Sequence, residues 1–374
     1  MAKFQVAIAR CDDYSKLGEA FEQIKEKASL ATFEKKVRGK KVLVKPNIIG
    51  LWRPERAATT HPELVRAVVS WLRAAGGEVM VGDNCGIGGY GLNQKAAQIS
   101  GIEEASEGAY VNVAKDLVEK EIDSRFFQKL VMSRPMIQAD YIVNLPKFKT
   151  HAMSLLTLGI KNMFGILAGA SKGMVHNAAH RLEDFGEALS DIYRFRPPDL
   201  TILDGVLGME GNGPTAGKPR RIGCLLAGGN APAVDLVATQ MAGVNPREVH
   251  HLRITLERGL GPQTLNDVEI AGEFKTIPRF RLPVTLARNR VIGFIVNRYA
   301  YKRIIDSRLV LEQDKCNQDQ LCLKACPTKA MSWKNDCPTI DHDKCIRCMC
   351  CFEVCPENAW RIAGLMERFR GIRG

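Results

Sequence analysis

Through residues 1–273, short apolar runs alternate with segments of helical periodicity, which predicts an α/β domain with a mainly parallel open sheet and flanking helices. The runs "KVLVKPN" (41–47), "EVMVGDN" (78–84), "ADYIVNLPKFKTH" (139–151), "DLTILDG" (199–205) and "IGCLLAGGN" (222–230) read as strands. Between the first two, "TTHPELVRAVVSWLRAAGG" puts Leu64, Val65, Val68, Val69 and Leu72 on one helical face. Thr60 and Glu63 have the spacing of a capping box, Pro62 falls in the first turn, and Gly76 supplies the stop. A second helix is expected over "APAVDLVATQMAG", after the last run. There is no internal repeat and no low-complexity tract.

Several of these runs end in polar or charged residues: Lys45 and Asn47, Asp83 and Asn84, Lys147, Lys149 and His151, and Asp204. In an open α/β sheet the carboxyl ends of the strands gather round one crevice, so residues far apart in sequence can meet there. Taken singly, Asn, Asp and Pro at strand ends are ordinary turn and cap chemistry. Three lysines and a histidine are not required by turns, and the set points to an anionic ligand, with His151 as proton donor beside Lys147 and Lys149. Two glycine-rich stretches accompany it. "GDNCGIGGYG" (82–91) fits neither dinucleotide nor P-loop spacing, and "GMEGNGPTAGKPRRIG" (208–223) reads either as a basic lid or as a plain exposed loop. His176 and His180 have the i, i+4 spacing of a helical metal pair but no third ligand nearby in sequence.

The chain of 374 residues is long enough for two or three domains, and no apolar run approaches a membrane span. Its first residues break their apolar run with Arg10, Asp12 and Asp13, so no signal segment is expected, and a cytoplasmic location follows. The net charge of +12 is uneven. Residues 275–308 hold nine Lys and Arg against Asp306 alone, and the interleaved Val291, Ile292, Ile295, Tyr299 and Ile304 predict a basic amphipathic connector over 274–309. Such a helix packs on its own protein or rests on an anionic membrane or an acidic partner. Basic charge alone does not indicate nucleic acid, and no nucleic-acid module is present.

Of the twelve cysteines, nine crowd between 316 and 355, in a third domain expected over 310–374. Cys345, Cys348, Cys351 and Cys355, followed by Pro356, form the C-x₂-C-x₂-C-x₃-C-P run that wraps a [4Fe–4S] cluster. An earlier run supplies Cys316, Cys322, Cys326 and Pro327, with Asp319 in the second slot. In two-cluster ferredoxins the fourth cysteine of each run serves the other cluster. One [4Fe–4S] cluster therefore takes Cys345, Cys348, Cys351 and Cys326, and the other takes Cys316, Cys322, Cys355 and whatever stands at 319. Asp319 admits three readings: a carboxylate on the fourth iron, a missing iron that leaves [3Fe–4S], or a spare thiol, Cys337 or Cys350, swinging in.

The stretches "KPNIIG", "THPELVRAVVSWLRAAGG", "GDN", "NLPKFKTH", "GIKNMFG", "DGVLGMEGNGP" and "AGGNAPAVDLVATQMAG" resemble the family known as domain of unknown function 362. The C-terminal part resembles the ferredoxin module, an α+β unit, fused to many of its members. The resemblance implies an iron–sulfur protein and makes Lys45, Asn47, His61, Asp83, Lys147, Lys149, His151, Lys161 and Asp204 site candidates. Members usually carry a complete first run, so Asp319 is where this chain departs. "NLPKFKTH" and "GIKNMFG" are also distantly similar to the nickel-pincer lactate racemases. The expectation is an electron-transfer protein or redox enzyme that works with a ferredoxin, a flavoprotein or a similar partner. The alternatives are a carrier or docking module, or a nonredox racemase-like enzyme with structural clusters.

Overall fold

A computed structural model describes residues 4–86, 91–169, 171–179, 181–283, 308–326, 328–345, 350–357 and 359–363. The connector expected over 274–309 lies largely outside them, and its described start, 275–283, is irregular chain.

The α/β expectation holds. Among the described residues a nine-stranded sheet runs in the order β11 (Val268–Ala271), β1 (Phe4–Arg10), β10 (Lys218–Gly228), β9 (Leu200–Glu210), β6 (Tyr141–Leu145), β2 (Lys41–Pro46), β3 (Glu78–Val81). β7 (Lys147–His151) continues β6 beyond Pro146 and stays paired with β9, while β8 (Leu155–Leu156) hangs on β7. Neighbours from β9 to β3 are parallel, and β10 runs against β9 and β1.

Alternation within each strand divides the core in two, because successive side chains point to opposite faces. Val6, Ile8, Leu43, Ile142 and Leu203 face one layer, together with α7 (Leu158–Asn162), α9 (Leu182–Phe195), α10 (Ala231–Met241) and α11 (His250–Glu257). Ala7, Val42, Val44, Val143 and Ile202 face the other, built on α1 (Leu17–Lys27) and α3 (Pro62–Ala74). Burial on both faces is why the strands read as unbroken apolar runs.

Two sequence expectations need correction. The capping box at Thr60 and Glu63 does not form, and α3 is capped by His61, whose Nδ1 accepts the Glu63 N–H at 3.3 Å. Thr60 is drawn into the sheet instead. Its hydroxyl donates to the Leu145 carbonyl (2.6 Å) and accepts from the Asn47 N–H (2.8 Å), joining the ends of β2 and β6. The glycine-rich stretch 208–223 is neither a lid nor a plain loop, since most of it forms the arms of the β9–β10 hairpin, with Lys218 opposite Glu210 and Arg220 opposite Gly208.

The C-terminal unit has a doubled strand–helix–strand order. β12 (Arg308–Leu311), helix Leu321–Lys324 and β13 (Met331–Lys334) are followed by β14 (Cys337–Ile340), helix Cys350–Val354 and β15 (Trp360–Ala363). β12 pairs with β15 and β13 with β14, both antiparallel, and the two helices pack together. The unit touches the α/β domain where Cys350, Ala325 and Val354 meet Leu117, Val131 and Ala168. Leu117 and Val131 belong to the hairpin of β4 (Leu117–Glu121) and β5 (Lys129–Ser133).

Leu43 is fully buried in the interior strand β2, at the reversal of strand order. Leu43→Ala should cost about 2–5 kcal/mol through lost transfer energy and cavity, read as a lower urea midpoint with unchanged slope.

Candidate functional site

Strand order reverses at β2: the chain passes from β2 outward to β3, then returns to set β6 on the other side. Ligand crevices of open α/β sheets open at such a reversal. Lys45 leaves β2 there, Asp83 follows β3, and β7 carries Lys147, Lys149 and His151 at alternate positions, hence on one face. All five are buried.

Two of the lysines are already neutralised. Lys45 Nζ donates to Asp83 Oδ1 at 2.7 Å, and Asp83 Oδ2 accepts the Ile48 N–H at 2.8 Å. Lys147 Nζ donates to Asp204 Oδ2 (2.8 Å) and to the Tyr14 hydroxyl (2.9 Å), which itself donates to Asp204 Oδ1 (2.8 Å). Asp204 Oδ2 also accepts the His61 N–H (2.9 Å), and the rings of Tyr14 and His61 stack at 3.5 Å. Burial, opposed by the partner carboxylates, holds both ammonium groups below the usual lysine range, and burial beside Asp204 pushes the Tyr14 phenol up. A Cβ on Gly165 would collide with Asp83 and Lys45, so a glycine is required where the chain crosses that pair.

A second group of amines has no carboxylate partner among the described residues. Lys149 Nζ donates to the Ala58 carbonyl at 2.5 Å. Lys172, on α8 (Ser171–Ala178), donates to the carbonyls of Asn84 and Cys85. Lys161, on α7, has no hydrogen-bond acceptor among the described residues and lies over the rings of Phe164 (5.3 Å) and Phe185 (5.1 Å). Burial pushes Lys161 down to about 7, with Lys172 adding repulsion, and Lys172 down to about 8. Lys149 is driven well below its usual range by burial and then by Lys161 and Lys147.

Histidines border this group. His151 Nδ1 accepts the N–H groups of Met153 (3.1 Å) and Ser154 (3.4 Å), which leaves its proton on Nε2. His176 stacks on Phe185 at 4.3 Å. Both rings are held well below the usual histidine range by burial and by Lys161. His180, its expected partner in a metal pair, lies outside the described residues. Asn47 bonds through its N–H to Thr60, and its Oδ1 is buried without a partner among the described residues. Asn84 bonds to Ser133 Oγ (2.8 Å) and the Gly165 carbonyl (2.9 Å).

Sequence reasoning missed Tyr14, Lys172, Phe164 and Phe185. For Tyr14 no local pattern gives a signal, because it reaches Asp204 across the fold. For Lys172 the signal was its place one helical turn before His176.

In the C-terminal unit the two runs occupy equivalent positions. The Ala330 N–H donates to Cys326 Sγ (3.2 Å) and the Ala359 N–H to Cys355 Sγ (3.3 Å), in each case four residues after the last cysteine of the run. Cys322, Cys351 and Cys355 share one small core with Trp360 and Leu309. The Cys322 thiol is pushed up to about 11 by burial, and the nearby Asp319 and Cys316 add to the shift. Asp319 Oδ1 accepts the Leu321 N–H at 2.9 Å, while Oδ2 is buried with no partner among the described residues. Among the described residues no three His, Cys, Asp or Glu side chains converge as ligands of a single ion do. Cysteines that share a cubane each grip a separate iron. The paired Sγ acceptors and the orphaned carboxylate oxygen suit that kind of group. Cys348 lies outside the described residues. Of the spare thiols, Cys337 donates to the Lys334 carbonyl (3.4 Å), and Cys350 is directed to the Lys115 carbonyl (3.6 Å) across the domain contact.

These features define an α/β protein with a ferredoxin-type unit at its carboxyl end. Residues 338–361 match the 4Fe-4S binding domain. Residues 42–240, more than half of the chain, match the domain of unknown function DUF362, and the protein belongs to that family. It is also similar to the thylakoid-associated protein sll1697 of Synechocystis sp. (strain ATCC 27184 / PCC 6803 / Kazusa), with 36% identity over 234 residues, which is 60% of this chain and 70% of the relative. Among the described residues no helix is long and apolar enough to cross a membrane.

Asp204→Ala should strand a buried ammonium at Lys147 and cost about 3–5 kcal/mol, read from urea unfolding. The unpaired lysines make stability depend on pH. Unfolded, Lys161 and Lys172 hold protons up to about 10.5, whereas folded they release them near 7 and 8. Between those values the unfolded chain binds more protons, so stability rises with pH, by up to about 1.4 kcal/mol per unit per lysine, and is lost as pH falls through the folded values. Urea unfolding across this range in anion-poor buffer should show the slope, and Lys161→Met should flatten it.

Proposed function

We propose that the protein is an iron–sulfur electron-transfer protein, a redox enzyme or a component of one, with two clusters in its C-terminal unit and an anionic ligand at the lysine site. The ferredoxin-type match, laid on a doubled strand–helix–strand unit with equivalent N–H···S bonds at Cys326 and Cys355, carries the reading. Bound clusters supply one-electron chemistry, and N–H···S bonds and burial set its potential.

The chain's own residues would be assigned as follows. Cys345, Cys348, Cys351 and Cys326 hold one cluster. Cys316, Cys322 and Cys355 hold the other, with the free Oδ2 of Asp319 on its fourth iron. That oxygen is buried, and a hard carboxylate in place of a thiolate changes both the potential and the exchange of that iron. Lys149, Lys161 and Lys172 hold the negative charge of a ligand, and His151 Nε2 and the Lys161 amine are the proton-bearing atoms beside it. Lys45 and Lys147, already paired, fix the strand ends instead.

A redox partner protein delivers or accepts the electron. The basic stretch 275–308 and the thylakoid association in the relative's name support a working place at a membrane surface.

Iron and sulfide content with EPR on anaerobically prepared protein tests the assignment. Asp319→Ala should lose close to one iron per chain and show a [3Fe–4S] signal in the oxidised state. Asp319→Cys should keep eight irons and change the spectrum of one cluster only, and an unchanged spectrum in both variants removes Asp319 from the ligand set. Cys350→Ala should leave the iron content unchanged.

A further inference from the structure

The lysine site calls for an anionic ligand, and its composition narrows the class of that ligand. Lys149, Lys161 and Lys172 place three amines at the strand-reversal point with no carboxylate bonded to them among the described residues; Asp83, bonded to Lys45, acts on Lys149 and Lys172 only from a distance. Each buried ammonium costs several kcal/mol unless it is paired or gives up its proton. A single negative charge would leave two of the three uncompensated. Polar atoms without partners lie in the same region. Thr59 Oγ1 adjoins Ala58, which accepts from Lys149, and Thr157 Oγ1 is on the residue whose N–H bonds to the Lys149 carbonyl. On α11, His251 is 1% exposed, neither of its ring nitrogens has a partner among the described residues, and it lies near enough to Lys161 to feel its charge. Hydroxyls, imidazole and amines can all donate, so the occupant that satisfies them presents several acceptor oxygens.

Resting on the anionic-ligand reading, we propose that the lysine site takes a small molecule carrying at least two negative charges on oxygen, an organic phosphate or a dicarboxylate, and that its binding is coupled to proton uptake by the buried amines. Lys161 is the centre of that coupling. It is 8% exposed, whereas Lys45, Lys147 and Lys149 are fully buried, and its amine makes no hydrogen bond among the described residues. The charged and titratable groups facing it are Lys149 and His151 from β7, Lys172 and His176 from α8, and His251 from α11. Asp235 on α10 is bonded to the Gly159 and Ile160 N–H groups at the start of α7 (2.7 and 2.8 Å), Asp191 on α9 pairs through Oδ1 with Arg258 (2.7 Å), and neither carboxylate is among the groups that act on the amine. With Lys161 held near 7 and Lys172 near 8, the ligand-free site is partly deprotonated at neutral pH. An entering dianion favours the charged amines, which draw protons from solvent. Affinity therefore weakens as pH rises above about 7, where each bound proton must be taken from a scarcer pool.

Isothermal titration of the full anaerobic protein with inorganic phosphate, succinate and acetate, in buffers of different ionisation enthalpy near neutral pH, tests this. Phosphate or succinate should bind at least about tenfold more tightly than acetate, with net proton uptake and with affinity falling between neutral and alkaline pH. Which dianion binds better tells phosphate from dicarboxylate. Lys161→Met should weaken binding at least about tenfold while keeping the cluster spectrum and a single cooperative urea transition, which report folding. Lys161→Arg should retain binding with a reduced pH dependence. Equal affinity for acetate, absence of proton uptake, or unchanged binding in Lys161→Met overturns the inference. If both dianions fail to bind while the cluster spectrum is intact, the inference falls and the iron–sulfur reading stands. Loss of the cluster spectrum from the wild-type protein overturns that reading and leaves the anion titration unaffected.

Discussion

Burying ammonium groups is the constraint that organises the α/β domain. Taking a lysine out of water is expensive, and the molecule buries four where the strand order reverses, with a fifth, Lys172, half-buried beside them. Two are met by carboxylates arriving on other strands or strand ends, Asp83 and Asp204. Those pairs explain local details that otherwise look arbitrary. Gly165 must lack a side chain to clear the first pair, and Tyr14 and the His61 N–H converge on the carboxylate of the second. The paired lysines give the strand ends a fixed, neutral frame. The unpaired ones leave that frame with positive charge to spare.

The C-terminal unit solves a different problem with little core of its own. Its doubled order of strand, helix and strand brings cysteines from both runs into a shared apolar cluster with Trp360 and Leu309. A domain of this size needs an inorganic staple to supply what its core cannot. Cys350, spare by spacing, has a separate use, being fully buried at the contact with the β4–β5 hairpin.

From that contact a run of bonds leads into the α/β domain. Val131, on the hairpin strand touched by Cys350, accepts from the Ala168 N–H (3.1 Å) and donates to Ser171 Oγ (3.2 Å). Ser171 opens the helix that carries Lys172 and His176. The surface on which the ferredoxin-type unit rests is thus continuous with one wall of the lysine site.

Periodicity and spacing determined much of this by themselves. Apolar runs marked β2, β6, β9 and β10 because strands buried on both faces carry no polar interruption. The cysteine runs fixed the class of the C-terminal unit because a cluster demands ligands at set intervals along a short chain. Alternation in "KFKTH" already placed Lys147, Lys149 and His151 on one face. Only the tertiary structure decided which charges meet. Asp204 lies 57 residues from Lys147 and 190 from Tyr14, and nothing local records those pairings. The same holds where a local rule lost. Thr60 had a cap to make and bonded instead to Leu145, 85 residues away, because a buried strand-end carbonyl needs a donor more than an exposed helix start does.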